Sequence, residues 1–162
     1  MSEGEYEEFI ATTIPEYAAD KVAAGQWPAE QSLELSRQAI LDLLPQGLLT
    51  PDNLFFTVLD EDEKPVGTLW IATWEQAGEH IAYVYDLRIR PECRRLGHAT
   101  RALSAAEDEA RRLGLSGIGL HVFGHNAAGR ALYEKRGYRP TNISMFKPLR
   151  REPTKGRRRT VR

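Results

Sequence analysis

Tyr6, Phe9, Ile10, Ile14 and Tyr17 recur at intervals of three and four residues, the period of one helical face. They predict a helix from about Glu5 to Ala24, ended by Gly25. A second helical pattern starts just after Pro28, with Leu33, Leu35, Ala39, Ile40, Leu43 and Leu44 on its apolar side, and stops at Pro45 and Gly47. The period then shortens. Asn53 to Leu59, Pro65 to Trp74 and His80 to Arg90 are extended runs separated by the turn-forming stretches DEDEK and EQAGE, the mark of an antiparallel meander. Strict alternation in the third run puts Ile81, Tyr83, Tyr85, Leu87 and Ile89 on one face and Ala82, Val84, Asp86, Arg88 and Arg90 on the other.

From Gly97 the helical period returns. Ala99, Ala102, Leu103, Ala106, Ala110 and Leu113 form a narrow stripe of mostly small residues suited to close packing on a sheet, with Gly114 as the C-cap. A short strand (Gly117 to Val122), a helix from about Asn126 to Arg136, a cap at Gly137 and a last extended segment from Tyr138 to Leu149 complete the order. A meander followed by alternating helices and strands predicts a mixed α/β sheet. The chain reads as one domain, 1–149, with two N-terminal helices in 5–46 and the sheet in 53–149.

Composition narrows the classes of function. The chain has 162 residues, 41 % of them hydrophobic, with no apolar run of membrane-spanning length and glutamates where a secretory leader needs basic residues. A cytoplasmic protein without membrane partners is expected. The lone Cys93 excludes an internal disulfide framework, and no HExxH, CxxC or acidic cluster suggests a metal. The net charge of −1 is unevenly spread, because Arg150 to Arg162 hold seven Lys/Arg against one acid. The remaining acidic body favours cationic partners such as amines and disfavours nucleic acid. The tail itself reads as a solvated, disordered extension.

Chemistry concentrates between the third strand and the third helix. In RRLGHAT, Arg94 to Thr100, the backbone N–H groups of a helix N-terminus meet a glycine at position 97 and two arginines, Arg94 and Arg95, which together suit an anion. Neither the GxxxxGK[ST] nor the GxGxxG phosphate loop is present. Arg94, Gly97 and Ala99 instead resemble the [QR]-x-x-G-x-[GA] signature of the GCN5-related N-acetyltransferase superfamily. The preceding DLRIRPE resembles that family's central strand, and Asn126, Leu132, Tyr133, Glu134, Lys135, Gly137 and Tyr138 fall at the spacing of its second motif. The two N-terminal helices with their QWP segment resemble a bacterial subgroup of unassigned acceptor substrate. Glycine is common in the family where Arg95 and Ala99 stand, so this loop is bulkier and more cationic. The early helix also leaves little room for the family's first strand.

The resemblance implies a mostly antiparallel sheet with central splayed parallel strands, flanked by helices, and acetyl-CoA as co-substrate. It implies that backbone around Leu87, Arg88 and Ile89 pairs with the pantetheine amides while Arg94, Arg95, Leu96, Gly97, His98, Ala99 and Thr100 hold the diphosphate. Tyr133 stands at the family's general-acid position, and Asn126 contacts the cofactor or caps its helix. The base has two candidates. His121 titrates in the right range, and it occupies the position of a catalytic glutamate in the ribosomal-protein N-terminal acetyltransferases; Asp86 is the alternative, as base or as a site for a cationic amine. His125 is a weaker candidate. Arg88 can pair with Asp86, and Trp70, Trp74, Tyr83 and Tyr85 either line the acceptor cleft or belong to the core. The expected activity is acetyl transfer to a primary amine on a small molecule or a peptide. The alternative is a non-catalytic acyl-CoA sensor, and a homodimer is compatible with either.

Overall fold

The computed structural model describes residues 1–147 and Leu149; the basic tail from Arg150 onward lies outside the described residues. Helix α1 (Glu3–Ala23) opens with a reciprocal cap, in which Glu5 N–H donates to Ser2 Oγ and Ser2 N–H donates to Glu5 Oε2 at 2.6 Å. It runs through Pro15 and buries Phe9, Thr13, Ile14 and Ala18. Helix α2 (Ser32–Leu43) crosses α1 closely because its seam is made of small residues: Ser36 is fully buried and its Oγ donates to the Ile14 carbonyl at 2.7 Å. This corrects the face expected for α2. Ser32, Ser36, Ile40 and the following Leu44 are buried, while Leu33, Leu35 and Leu43 stay exposed, since a single neighbouring helix covers only a narrow stripe.

Strands β1 (Asn53–Leu59), β2 (Pro65–Gln76) and β3 (Glu79–Ile89) form the expected antiparallel meander. Helix α3 (His98–Arg112) then leads to β4 (Ile118–Leu120), which pairs parallel to β3, and α4 (Ala127–Lys135) follows. The sheet order is β1-β2-β3-β4. No strand precedes β1 among the described residues, and α1 occupies the start of the chain. The final extended segment is also corrected. From Tyr138 to Lys147 the chain is described but makes no strand, because no backbone ladder receives it.

The two faces of the sheet carry separate cores. On one, Phe9, Ile14, Ile40 and Leu44 of the helical pair meet Phe55 and Trp70. The buried Trp70 indole satisfies its N–H on Asn53 Oδ1 at 2.7 Å. On the other, Ala106 of α3 packs on Leu69, Ile71 and Val84. Its small side chain lets the helix sit close to the strands.

The alternation expected along β3 holds only as far as Val84. Trp70 pairs with Asp86 but Ile71 pairs with Val84, so Tyr85 is an extra residue in the ladder. The bulge moves every later side chain to the opposite face. Val84 and Leu87 therefore share the α3 side, whereas Tyr85 packs against Trp70 and Arg88 reaches α1.

Candidate functional site

The region between β3 and α3 is built largely from backbone. β4 pairs only with Ala82, Tyr83 and Val84, so from the bulged Tyr85 to Ile89 the β4-facing edge of β3 has no strand beside it. This is the splay expected between the central parallel strands. An extended amide chain can add to such an edge as a further strand. After Pro91 the chain turns back, and the Arg94 Nε donates to the Ile89 carbonyl at 2.9 Å, tying the loop to the end of the strand.

Arg95 and Gly97 both adopt left-handed conformations, with φ of 66° and 84°. The glycine does so at little cost; Arg95 carries a penalty of about 1 kcal/mol in a position where glycine would be cheaper. Among the described residues no backbone carbonyl accepts from the N–H groups of Leu96 to Thr100, and the first bond of α3 runs from Arg101 N–H to the Gly97 carbonyl at 3.1 Å. Clustered free amides at the positive end of a helix dipole have the chemistry that suits an anion. The His98 side chain is buried instead, with Nδ1 at 2.8 Å from Arg101 Nη2, so only its amide is available at the loop surface. Arg101, missed from the sequence because it lies outside the signature, folds back over the loop to within 3.3 Å of the position a Gly97 Cβ would take.

The facing region is built from side chains of distant elements. Asp86 is half-buried below α1, 3.4 Å from Arg88 Nη2 and 3.5 Å from Thr68 Oγ1. Burial raises its pKa, and the Arg88 guanidinium partly offsets that. Arg88 is committed to α1, with Nη2 donating to Thr13 Oγ1 at 2.7 Å and Nε lying 3.0 Å from Glu16 Oε2 without hydrogen-bond geometry. Its side chain thus points away from the open β3 edge, and its pairing with Asp86 is real.

Tyr133, half-buried on α4, has its pKa raised by burial and then by the charge of Asp86, which keeps the phenol protonated. The ring meets Tyr138 edge-on at 5.7 Å. His121 lies just beyond β4 and is exposed; partial burial of the ring and the nearby Lys21 ammonium lower its pKa below 6.5, leaving a neutral imidazole at physiological pH. Lys21 itself rests 5.2 Å from the Tyr17 ring and 5.3 Å from that of Trp27. His125 is occupied elsewhere, with Nε2 2.9 Å from Asp20. Asn126 caps α4, its Oδ1 accepting from Gly129 N–H at 2.9 Å.

Aromatic rings continue from the core into this region. Trp70 stacks on Tyr85 at 4.5 Å, Tyr85 meets Tyr83 at 5.0 Å, and Tyr83 lies 5.2 Å from Trp74, which is 45 % exposed. Of these residues Trp70 belongs to the core, while Trp74 lies at the surface. Glu16 and Lys21 of α1 carried no signal in the sequence, because only the tertiary fold sets them against β3 and β4. A separate cavity of about 680 Å³ between α1 and α2 contains none of these residues. Among the described residues no group of three or more His, Cys, Asp or Glu side chains could hold a metal, and no helix is long and apolar enough to cross a membrane.

A mixed α/β sheet whose two parallel strands part beside the start of a helix is the fold class to which the sequence pointed. Residues 16–138 match the acetyltransferase (GNAT) family, and the chain belongs to that family. Two relatives from Bacillus subtilis (strain 168) bear the name uncharacterized N-acetyltransferase. YycN is 36 % identical over 149 residues, 92 % of this chain and 96 % of its own; YdgE is 31 % identical over 149 residues, covering 92 % and 95 %. The crystal structure of YycN superposes with a TM-score of 0.88 over 93 % of this chain and 96 % of that one. A GCN5-related N-acetyltransferase from Ralstonia eutropha JMP134, 20 % identical with a TM-score of 0.64 over 88 % of this chain and 93 % of that one, shares the fold.

Proposed function

We propose that the chain transfers an acetyl group from acetyl-CoA to a primary amine. The observation that carries this reading is the open edge of β3 from Tyr85 to Ile89 running directly into the free amides of Leu96 to Thr100. The edge suits the amides of a pantetheine arm, and the loop suits a diphosphate, with Arg94 and Arg95 adding charge. Family membership supports the same donor. Acetyl-CoA, when bound, supplies the acetyl group as a thioester.

The chain's own residues divide the remaining work. His121, neutral at physiological pH, takes the proton of the incoming ammonium, so that the amine nitrogen can attack the acetyl carbonyl. Tyr133, kept protonated by burial and Asp86, gives its phenolic proton to the sulfur as the carbon–sulfur bond breaks. Asp86, held by Arg88 and Thr68, contributes field and orientation, and it offers negative charge to a cationic acceptor. Trp74, Tyr83 and Tyr85 form the wall along which the acceptor enters.

The test is release of CoA thiol from acetyl-CoA in the presence of a broad panel of amines, with the acetylated product identified by mass spectrometry. Turnover on any primary amine supports the proposal. Saturable acetyl-CoA binding without turnover on any amine overturns it in favour of an acyl-CoA sensor.

A further inference from the structure

The QWP segment folds back over the end of α1 and fixes one ammonium in place. Gln26 N–H donates to the Lys21 carbonyl at 2.9 Å and Trp27 N–H to the same oxygen at 3.4 Å. The turn sets the Trp27 ring edge-on to Tyr17 at 5.4 Å. The half-buried Lys21 ammonium lies 5.2 Å from the Tyr17 ring, 5.3 Å from Trp27 and 5.9 Å from Phe123. Aromatic faces attract a cation and hold it, but they do not cancel its charge. Of its three N–H groups one donates to Gln26 Oε1 at 2.8 Å. Among the described residues no other acceptor meets the ammonium and no carboxylate pairs with it; the neighbouring Asp20 is turned to His125 instead, at 2.9 Å.

Phe123 joins this ammonium to the proposed base. The His121 ring meets it edge-on at 5.1 Å, so Lys21 and His121 border the same aromatic ring. The Lys21 charge contributes, after burial, to the lowered pKa of His121. Tyr17 extends the same surface toward Tyr83, whose pKa is raised first by burial and then by Tyr17. Earlier on α1 the balance of charge is reversed. Glu16 and Asp86 share the single Arg88 guanidinium, at 3.0 and 3.4 Å, so this end of the surface carries more acid than base. One helix therefore sets an unpaired positive charge and an excess of negative charge along the same side of the fold.

Taking acetyl transfer to an amine as proposed above, we infer that Lys21 receives a carboxylate on the acceptor, and that the acceptor is a small amino acid. The two open N–H groups of Lys21 suit the two oxygens of a carboxylate, whose single charge matches that of the ammonium. Three rings and Gln26 hold the side chain before anything binds, so little freedom is lost on binding. Lys21 and His121 flank one ring, which requires the amine and the carboxylate to be only a few bonds apart. The negative charge left over at Glu16 and Asp86 favours the approach of the same molecule's ammonium. A peptide N-terminus has no α-carboxylate beside its amine and gains nothing from Lys21. The QWP turn then has a task beyond ending a helix, since Gln26 and Trp27 place the charge that recognises the acid.

The unaltered full-length chain tests this by release of CoA thiol from acetyl-CoA with α-, β- and γ-amino acids, each set against its own carboxamide. We expect kcat/KM to favour the acid over the amide by about 30-fold or more in at least one pair, with the difference carried by KM. In K21M that ratio should fall to within about threefold, with circular dichroism as the check on folding. Where K21M does not fold, the comparison of acid with amide on the unaltered chain decides. Amides turned over as well as their acids overturn the inference and leave acetyl transfer standing. A preference for the acid that a folded K21M retains does the same. No turnover on any amine overturns acetyl transfer itself, and the carboxylate subsite with it.

Discussion

The two sides of the cleft are made of different materials. On the side proposed for the donor, β3, the loop and the start of α3 present backbone: an unpaired strand edge, left-handed residues at 95 and 97, and free amides. On the side proposed for the acceptor, side chains do the work: Glu16 of α1 and Asp86 of β3 flank Arg88, the Asp86 charge reaches Tyr133 of α4, and Lys21 of α1 lies near His121 beyond β4. A backbone site is specified by conformation and so tolerates many side chains while resisting changes in space. A side-chain site has the opposite sensitivities, which is why its chemistry can vary within one fold.

The largest test of that contrast is a single methyl group. A Cβ on Gly67 would lie 2.2 Å from the Arg88 carbonyl oxygen, a backbone atom that cannot rotate away. Gly67→Ala is expected to cost about 3 kcal/mol or more, read as loss of cooperative thermal unfolding at the wild-type temperature. Next is Tyr133→Phe, which keeps the ring and removes the acid. It should lower kcat by about 100-fold while acetyl-CoA affinity stays within about twofold; an unchanged kcat would remove Tyr133 from the mechanism. Gly97→Val should weaken acetyl-CoA binding by calorimetry about tenfold with the fold retained, because the left-handed φ of 84° and the Arg101 Nη1 at 3.3 Å both oppose a branched side chain.

Two further tests bear on the side proposed for the acceptor. The lowered pKa of His121 places the acid limb of the kcat profile below pH 6.5, and His121→Ala should abolish that limb together with most turnover near neutrality. The smallest change concerns Tyr138, whose hydroxyl is buried without a partner and whose pKa is pushed from 10.0 to about 12, first by burial and then by Glu107. A raised folded-state pKa means stability that is present below pH 10.0 and is lost as pH climbs toward about 12. Tyr138→Phe should remove that alkaline loss and leave stability at pH 7 within about 1 kcal/mol, on the favourable side.

The strand, loop and helix start around Gly97 were legible in the sequence because their signals are local. Glycine at 97, the arginine pair and the change of period from two to 3.6 all fall within one stretch, and Asn126 to Tyr138 lies at a fixed offset from it. Three features were not legible. The face of α2 depended on Ser36 meeting Ile14, a contact that apolar periodicity cannot foresee. The strand expected at Tyr138 to Leu149 depends on a neighbour, since extended sequence becomes a strand only when another backbone receives it. The bulge at Tyr85 leaves no mark in composition, because tyrosine fits a regular strand equally well.

That extra residue at Tyr85 separates two design problems that would otherwise share one strand. Upstream, Tyr83 keeps one register against Ala72; downstream, Leu87 and Ile89 keep another against Leu69 and Gly67. On the function proposed above, side chains that meet the acceptor could change on one half of β3 without moving the backbone edge proposed for the donor on the other. Deleting a single residue between them would couple the two again by turning the whole downstream half over.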